Sequence, residues 1–449
     1  MKKILIIAYY FPPNPEIGGV RATKFARYLP DYNWKPYVLT VDTSDVSNAD
    51  ISRLKEIEGI PITRTNTWPT VLDILVTLKK KLGFNQTKES HHTSTFKVAQ
   101  TSDSLPLQTT RPAILRILDS IFESPDRHIG WFFPALIAGY KIIKKENIDV
   151  ILTSSPPPTT GLIGLALSLL TGKKLITDLR DPLILHERKS PDRRTFLSDK
   201  MESCFENALY KRSYRVVSAT ARHSNHLKEQ FQLLPSEKFV TIWNGYDSSD
   251  FAHIQKHEKN IEQFTISYLG SFYNARSPKT FLQALSSLIK EKAIPRDKIS
   301  INFIGDVFST EGKPTQEIVS ENQLENCVTL IKRMPYKQAL EMMSKADALL
   351  LIAPDSMNYY AVPAKTFEYL HVNTNILCLT GDSATAELLM KLKCGTLANP
   401  YEIDDIKKGI LTMYNNWVKS DSQHETQSVD ISEYERKRQT EILSTLISD

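Results

Sequence analysis

Lys365 and Glu368 stand three residues apart in "YAVPAKTFEYL", between the apolar runs "ADALLLIAP" and "NILCLTG". Pro363 suits the start of a short helix, and on that helix the two side chains share a face. They read either as a surface ion pair or as part of a ligand site where a strand gives way to a helix. A second set is "TDLRDP" (177–182), where two acids and an arginine follow the apolar "KLI". Charges so placed need partners. Asp178, Arg180 and Asp181 either pair among themselves to hold the turn or reach polar groups of a substrate. A third is "YLGSFYNARSPKTF", whose Arg276 and Lys279 fall at a strand-to-helix step. There they suit a pyrophosphate; a solvated loop explains them equally well. Gly18 and Gly19 in "YYFPPNPEIGGVR" let backbone approach a ligand at a helix start, or make a plain tight turn.

The elements that would position these residues alternate. "KILIIAYY", "KPYVLTVD", "DVILTSS", "KLITDL", "YRVVSAT" and "FVTIWN" read as fully buried strands. "VRATKFARYL" carries Ala22, Phe25, Ala26 and Leu29 at helical spacing. After residues 247–263, which read as a linker, the series restarts with "FTISYLGSF", "ISINFIGD", "CVTLIK", "ADALLLIA" and "NILCLTG". The pattern predicts α/β architecture: two doubly wound Rossmann-like domains facing each other across a cleft, with ligands beyond the carboxyl ends of the strands. The boundaries expected are 1–250 for the first domain and 251–425 for the second. Residues 426–449, "ISEYERKRQTEILSTLI" included, form a solvated C-terminal helix with one apolar stripe, packing back on the first domain.

A chain of 449 residues, 41% hydrophobic and 24% charged, belongs with soluble globular proteins of two domains. Its net charge of +5 does not call for nucleic acid. Four scattered cysteines fit reduced thiols in a cytoplasmic protein. "MKKILIIAYYFPP" reads as a buried first strand rather than a signal peptide, and no apolar run is long enough to span a bilayer. Residues 83–112 are polar and read as a mobile loop. The flanks "TVLDILVTLKKKLGF" and "PAILRILDSIF" join apolar faces to basic residues, so they read as core helices or as a peripheral contact with an anionic membrane. No Asp-x-Asp occurs, which removes the usual metal clamp for a sugar nucleotide. His186, His223 and His226 lack ligand spacing and read as exposed.

Taken in order, "YYFPPNPEIGGVRATKFARYL", "SSPPPTTGLIGLAL", "DLRDP", "WNGYD", "YLGSFYNARSP" and "VPAKTFEYL" resemble the family 4 glycosyltransferases of the GT-B fold. The resemblance spans nearly the whole chain. It implies retaining transfer of a sugar from a nucleotide diphosphate sugar to a hydroxyl of a lipid-linked or glycan acceptor, in cell-surface polysaccharide biosynthesis, without an essential metal. It places Gly18 and Gly19 near the diphosphate and sugar, and Arg276 with Lys279 on the diphosphate. Backbone N–H groups of Tyr360, Ala361 and Val362 would meet the phosphates, with Lys365 in the same donor-binding set, and Glu368 would take the ribose hydroxyls. Asp178, Arg180 and Asp181 would face the sugar or acceptor, and together with Arg276 they form the expected catalytic set. One departure stands out: where the family often has a first glutamate, separated from the second by seven intervening residues, this chain has Tyr360. The alternatives are a relative that binds nucleotide or a partner enzyme without turnover, and a sugar-nucleotide epimerase of the same fold. The enzyme would work in the cytoplasm, peripherally at the inner face of the membrane.

Overall fold

The computed structural model describes residues 1–42, 51–70, 73, 124–184, 195–252, 254, 262–273, 276–354, 359–419 and 429–448. The loop expected at 83–112, nearly all of its two flanks, and His186 lie outside them. The chain divides into two compact units. Among the described residues, one holds those up to Trp243 together with those from Arg436 onward; the other runs from Asn244 to Glu435.

In the first unit seven strands form one parallel sheet: β1 (Lys2–Ala8), β2 (Trp34–Val41), β3 (Ile62–Thr65), β4 (Val150–Ser155), β5 (Lys174–Leu179), β6 (Arg215–Ser218) and β7 (Phe239–Thr241). Their order is β3-β2-β1-β4-β5-β6-β7. The sheet is covered on both faces, so Ile4 to Ile7 are all buried and the strand reads as an unbroken apolar run. The helix Pro158–Thr171 starts on proline and stops at Gly172, which takes the left-handed conformation with φ 72°. It lies so close to β4 that a Cβ on Gly164 would fall 2.2 Å from Thr153 Cγ2.

In the second unit the strands are β8 (Phe264–Ser271), β9 (Ile299–Asp306), a short hairpin of β10 (Ser309–Thr310) and β11 (Lys313–Pro314), then β12 (Val328–Ile331), β13 (Ala348–Ile352), β14 (Asn375–Leu379) and β15 (Thr396–Ala398). The main sheet is parallel, in the order β12-β9-β8-β13-β14-β15. Each sheet thus winds outward in both directions from its first strand, and the order reverses between β1 and β4 and between β8 and β13. These switch points are where doubly wound sheets open to ligands.

Helix α1 (Val20–Tyr28) buries Ala22, Phe25, Ala26 and Leu29 just after it, as the spacing predicts. It also buries Arg21 and Lys24, which the spacing does not predict. Arg21 meets Asp178 of β5: Nε donates to both carboxylate oxygens at 3.0 and 2.9 Å, and Nη2 donates to Oδ1 at 2.7 Å. Nη1 and Nη2 also donate to the carbonyls of Trp243 (2.7 Å) and Ile242 (2.8 Å) respectively. Asp178 is therefore paired with Arg21, 157 positions away, rather than with a charge in its own turn.

The C-terminal segment differs from a solvated helix. A short turn at Ser432–Tyr434 precedes the helix Arg436–Ser448, which buries Gln439, Thr440, Leu443 and Ile447 within the first unit. Tyr32 Oη donates to the Lys437 carbonyl at 3.2 Å, and Lys437 pairs with Asp31 at 3.0 Å. In "WNGYD" the glycine has a steric reason, since a Cβ on Gly245 would fall 1.9 Å from the Tyr434 carbonyl. His223 is buried rather than exposed, in the first turn of the helix Ala221–Gln230, and His226 is half-buried. Burial, with His226 adding to it and Asp181 opposing, lowers the His223 pKa to about 4.

Two outcomes are expected. Asp178→Ala strands a buried guanidinium and should cost about 3–5 kcal/mol in urea unfolding; Arg21→Met with Asp178→Leu should recover part of that loss. His223 binds its proton more weakly folded than unfolded, so its contribution is complete above the ordinary histidine pKa and falls as pH drops from about 6.5 towards 4. His223→Asn should flatten the dependence of thermal midpoint on pH across that window.

Candidate functional site

Residues singled out from the sequence gather at the switch point of each unit. In the second unit, β8 ends with Gly270 at φ 142°, beside Gly305 of β9 at φ 126°. A Cβ on Gly305 would lie 2.2 Å from the Gly270 carbonyl oxygen, and one on Gly270 would lie 2.8 Å from Lys365 Nζ. Both positions require glycine, and the space is filled by the lysine head.

Lys365 opens the helix Lys365–His371. The helix begins two residues after Pro363, whose carbonyl accepts from Thr366 N at 3.0 Å. Seven residues make a short helix, so the backbone of the preceding loop matters more than any macrodipole. Tyr369 pins the helix to the sheet: its hydroxyl accepts from Leu269 N at 3.1 Å. Phe367 and Leu370 are buried beneath it.

Lys365 Nζ donates to the Leu269 carbonyl at 2.7 Å and sits 3.9 Å from the Tyr268 ring centre. Burial, and then the charge of Arg276, push its pKa well below the usual lysine range, while Glu368 opposes the shift. Arg276 is half-buried, its guanidinium 4.8 Å from the Tyr273 ring centre. Glu368 accepts from Tyr336 Oη at 2.7 Å. Arg276, Lys365 and Glu368 thus share one electrostatic neighbourhood. Lys279 is exposed at the start of the helix Lys279–Lys290. Tyr360 is half-buried and stands edge-on to Tyr359, with centroids 4.8 Å apart; Ala361 accepts from Thr385 Oγ1 at 3.5 Å, and Val362 is buried.

In the first unit, the turn after β1 meets the turn after β5. A Cβ on Gly18 would lie 2.8 Å from Tyr10 Cδ2 and 3.0 Å from a terminal nitrogen of Arg180. One on Gly19 would lie 2.9 Å from the Tyr10 carbonyl oxygen. Two motifs some 160 residues apart in sequence are therefore in contact. Arg180 is half-buried, and its backbone N–H bonds the Ser155 carbonyl at 3.0 Å. Asp181 is half-buried, with its charge acting on His223.

Three polar groups beside these sets were not singled out from the sequence. Asp126 Oδ2 accepts from Thr159 N at 2.6 Å and Thr159 Oγ1 at 2.9 Å, and burial raises its pKa. His128 lies with its ring 4.2 Å from that of Tyr9, and burial lowers its pKa. Tyr336 is the third. No spacing in "SPDRHIGW" or "RMPYKQAL" marks them, because their partners lie far along the chain. Among the described residues no group of three His, Cys, Asp or Glu side chains could hold a metal ion. Chemically, the second unit offers cations beside a carboxylate and backbone, a combination suited to a ligand with both phosphates and hydroxyls.

Comparison with known proteins agrees with this layout. The family description "Glycosyl transferases group 1" matches residues 249–438, and "Glycosyltransferase Family 4" matches residues 88–250. No curated protein sequence matches the chain. Similar solved structures include a sucrose-phosphate synthase from Thermosynechococcus elongatus, at 11% identity and TM-score 0.60, covering 100% of this chain and 97% of that one. The lipopolysaccharide outer core galactosyltransferase WaaB in its apo form is 12% identical with TM-score 0.57, over 99% of both chains. TarM is 11% identical with TM-score 0.59, over 100% of this chain and 99% of its own. At such identities the likeness speaks for the fold. With two parallel Rossmann-like sheets and both family descriptions matched in order, the chain belongs to the GT-B glycosyltransferases of the group 1 and family 4 type.

Proposed function

We propose that this glycosyltransferase moves a sugar from a nucleotide diphosphate sugar to a hydroxyl of a lipid-linked or glycan acceptor, with retention at the anomeric carbon. The pathway would be cell-surface polysaccharide biosynthesis, and the enzyme would work in the cytoplasm, peripherally at the inner face of the membrane. The observation that carries the donor reading is the grouping of Arg276, Lys365 and Glu368 at the β8/β13 switch point.

In this reading Glu368, held by Tyr336, accepts the two ribose hydroxyls. Arg276, with Lys279 from the next helix, takes the diphosphate, aided by backbone N–H groups of Tyr360, Ala361 and Val362. Lys365 feels the charge of Arg276, and a bound diphosphate would favour its charged form, which burial and Arg276 otherwise oppose. These cations meet the donor's negative charge, so the reading includes no essential metal.

The bond that breaks joins the anomeric carbon to a phosphate oxygen, and its electron pair leaves with the diphosphate. Arg276 stabilises the charge that develops there. The acceptor hydroxyl attacks from the same face, and the departing phosphate takes its proton, which gives retention without a carboxylate nucleophile. Gly18 and Gly19 allow close approach of the diphosphate and sugar. Arg180 and Asp181 would face the sugar or acceptor, while Asp178, committed to Arg21, positions the strand end that carries them.

Purified protein with membrane extracts should turn over a nucleotide sugar. Arg276→Ala should lower kcat about 100-fold, as expected for a lost charge-stabilising donor. Glu368→Ala should act mainly on donor KM, by about tenfold or more, as for lost hydrogen bonds to a charged group. Full activity in both variants would overturn the assignment.

A further inference from the structure

At the opposite ends of the strands from Arg180, the first unit holds a pocket of about 370 Å³. Lys174 is the first residue of β5 and Arg215 the first of β6; both line it, with Lys173, Arg212 and Lys238, against a single carboxylate, Glu237. Two of the five cations have local work. Arg212 Nε and Nη2 donate to Ser168 Oγ at 2.9 Å and Ser168 O at 2.8 Å, at the end of the helix Pro158–Thr171. Lys238 Nζ donates to the carbonyls of Tyr210 and Lys211, both at 3.0 Å, at the end of the helix Phe196–Arg212. Cations at helix carboxyl ends are ordinary.

The other three exceed what capping needs. Lys174 and Arg215 each bring their charge to 4.3 Å from the Tyr214 ring centre. Arg215 Nε is buried without a hydrogen-bond partner among the described residues. None of the five forms an ion pair with an acidic side chain among the described residues. Burial and the nearby Arg215 also lower the pKa of Lys238. A concave surface with this much uncompensated positive charge is suited to an anion.

The rim identifies which anion. Leu169 and Leu170 stand 64% and 60% exposed just before Gly172, and Leu233 is 99% exposed two residues before Pro235; both Gly172 and Pro235 line the pocket. A soluble phosphate has no use for leucines held out to solvent, whereas a bilayer boundary does. We propose that this pocket seats the phosphate of an anionic phospholipid headgroup while Leu169, Leu170 and Leu233 enter the acyl boundary beside it. The proposal supplies the membrane contact of the proposed function and rests on that reading for its purpose, though its geometry stands alone.

The test is co-sedimentation of the full chain with phosphatidylcholine vesicles, with and without phosphatidylglycerol. Binding is expected only with the anionic lipid. Lys173→Glu with Lys174→Glu should weaken it about tenfold or more, since each cation near an anionic surface counts. Leu169→Ser with Leu170→Ser should weaken it several-fold and leave the salt dependence of binding unchanged. Both double variants should keep the wild-type unfolding midpoint, because the side chains changed are exposed or lie at the pocket mouth. Absent binding to phosphatidylglycerol vesicles, or binding indifferent to either double variant, overturns the proposal. Thermal protection by inorganic phosphate that needs Lys173 and Lys174, without vesicle binding, would assign the pocket to a soluble anion and overturn it too. Sugar transfer in detergent is measured alongside: its absence in wild type would sink the proposed function while leaving vesicle binding to be judged separately.

Discussion

The first unit is organised around the buried pair of Arg21 and Asp178, each 1% exposed. Two charges so far from water are costly unless good geometry and further hydrogen bonds offset the desolvation. Here the guanidinium meets both carboxylate oxygens and two main-chain carbonyls, and Ser154 Oγ adds a bond to Asp178 at 3.3 Å. A lysine could not replace it, because only the planar fork reaches all of these acceptors at once. Arg21 is the second residue of α1 and Asp178 the fifth of six in β5. Fixing one against the other fixes the glycine turn just before the helix beside the arginine just after the strand. The contact of Gly18 with Arg180 is the consequence.

The second unit solves a similar problem in a different way. Lys365 is also drawn into the protein, but it is given a carbonyl and an aromatic face in place of a carboxylate. Those partners stabilise an ammonium less than an anion does, and Arg276 works against it. The first unit's cation is thus neutralised and structural. The second unit's Lys365 and Arg276 lie close enough to repel each other, at a strand end where backbone and Glu368 are also at hand. That contrast separates a strut from the proposed donor site more clearly than residue type does.

Much of this layout was legible in the sequence. Unbroken apolar runs gave the parallel strands because both faces of each sheet are covered, and the glycines after β1 and the charged residues after β5 and β8 do stand at strand ends. What stayed hidden is partnership across distance. Asp178 finds Arg21 157 positions away, Lys365 finds Leu269 96 positions away, and Glu368 finds Tyr336 32 positions away. No periodicity records such pairs. Helical spacing allowed a pairing of Lys365 with Glu368 as one of two readings, and Lys365 instead donates to a carbonyl of the strand beside the helix. His223 misled for a related reason. Its helix is polar in composition, yet His223 lies on the face turned inward with Leu227, four residues on, and both are buried.

A parallel sheet has two unlike edges, and the distribution of charge in the first unit follows from that. Helices that follow parallel strands begin at the carboxyl edge and end at the amino edge, so free N–H groups gather at one and free carbonyls at the other. Anions are thereby favoured at the carboxyl edge before any side chain is considered, and Arg180 beside Gly18 adds to an existing bias. At the amino edge the bias runs the other way: the first basic residues to arrive, Arg212 and Lys238, are taken up by helix-end carbonyls. Beyond them, Arg215 reaches only the Tyr214 carbonyl, at 3.3 Å, and with Lys174 the Tyr214 ring. Lys173, Lys174 and Arg215 are therefore the cations on which the proposed anion site depends, although nothing in their residue type or spacing separates them from the capping pair.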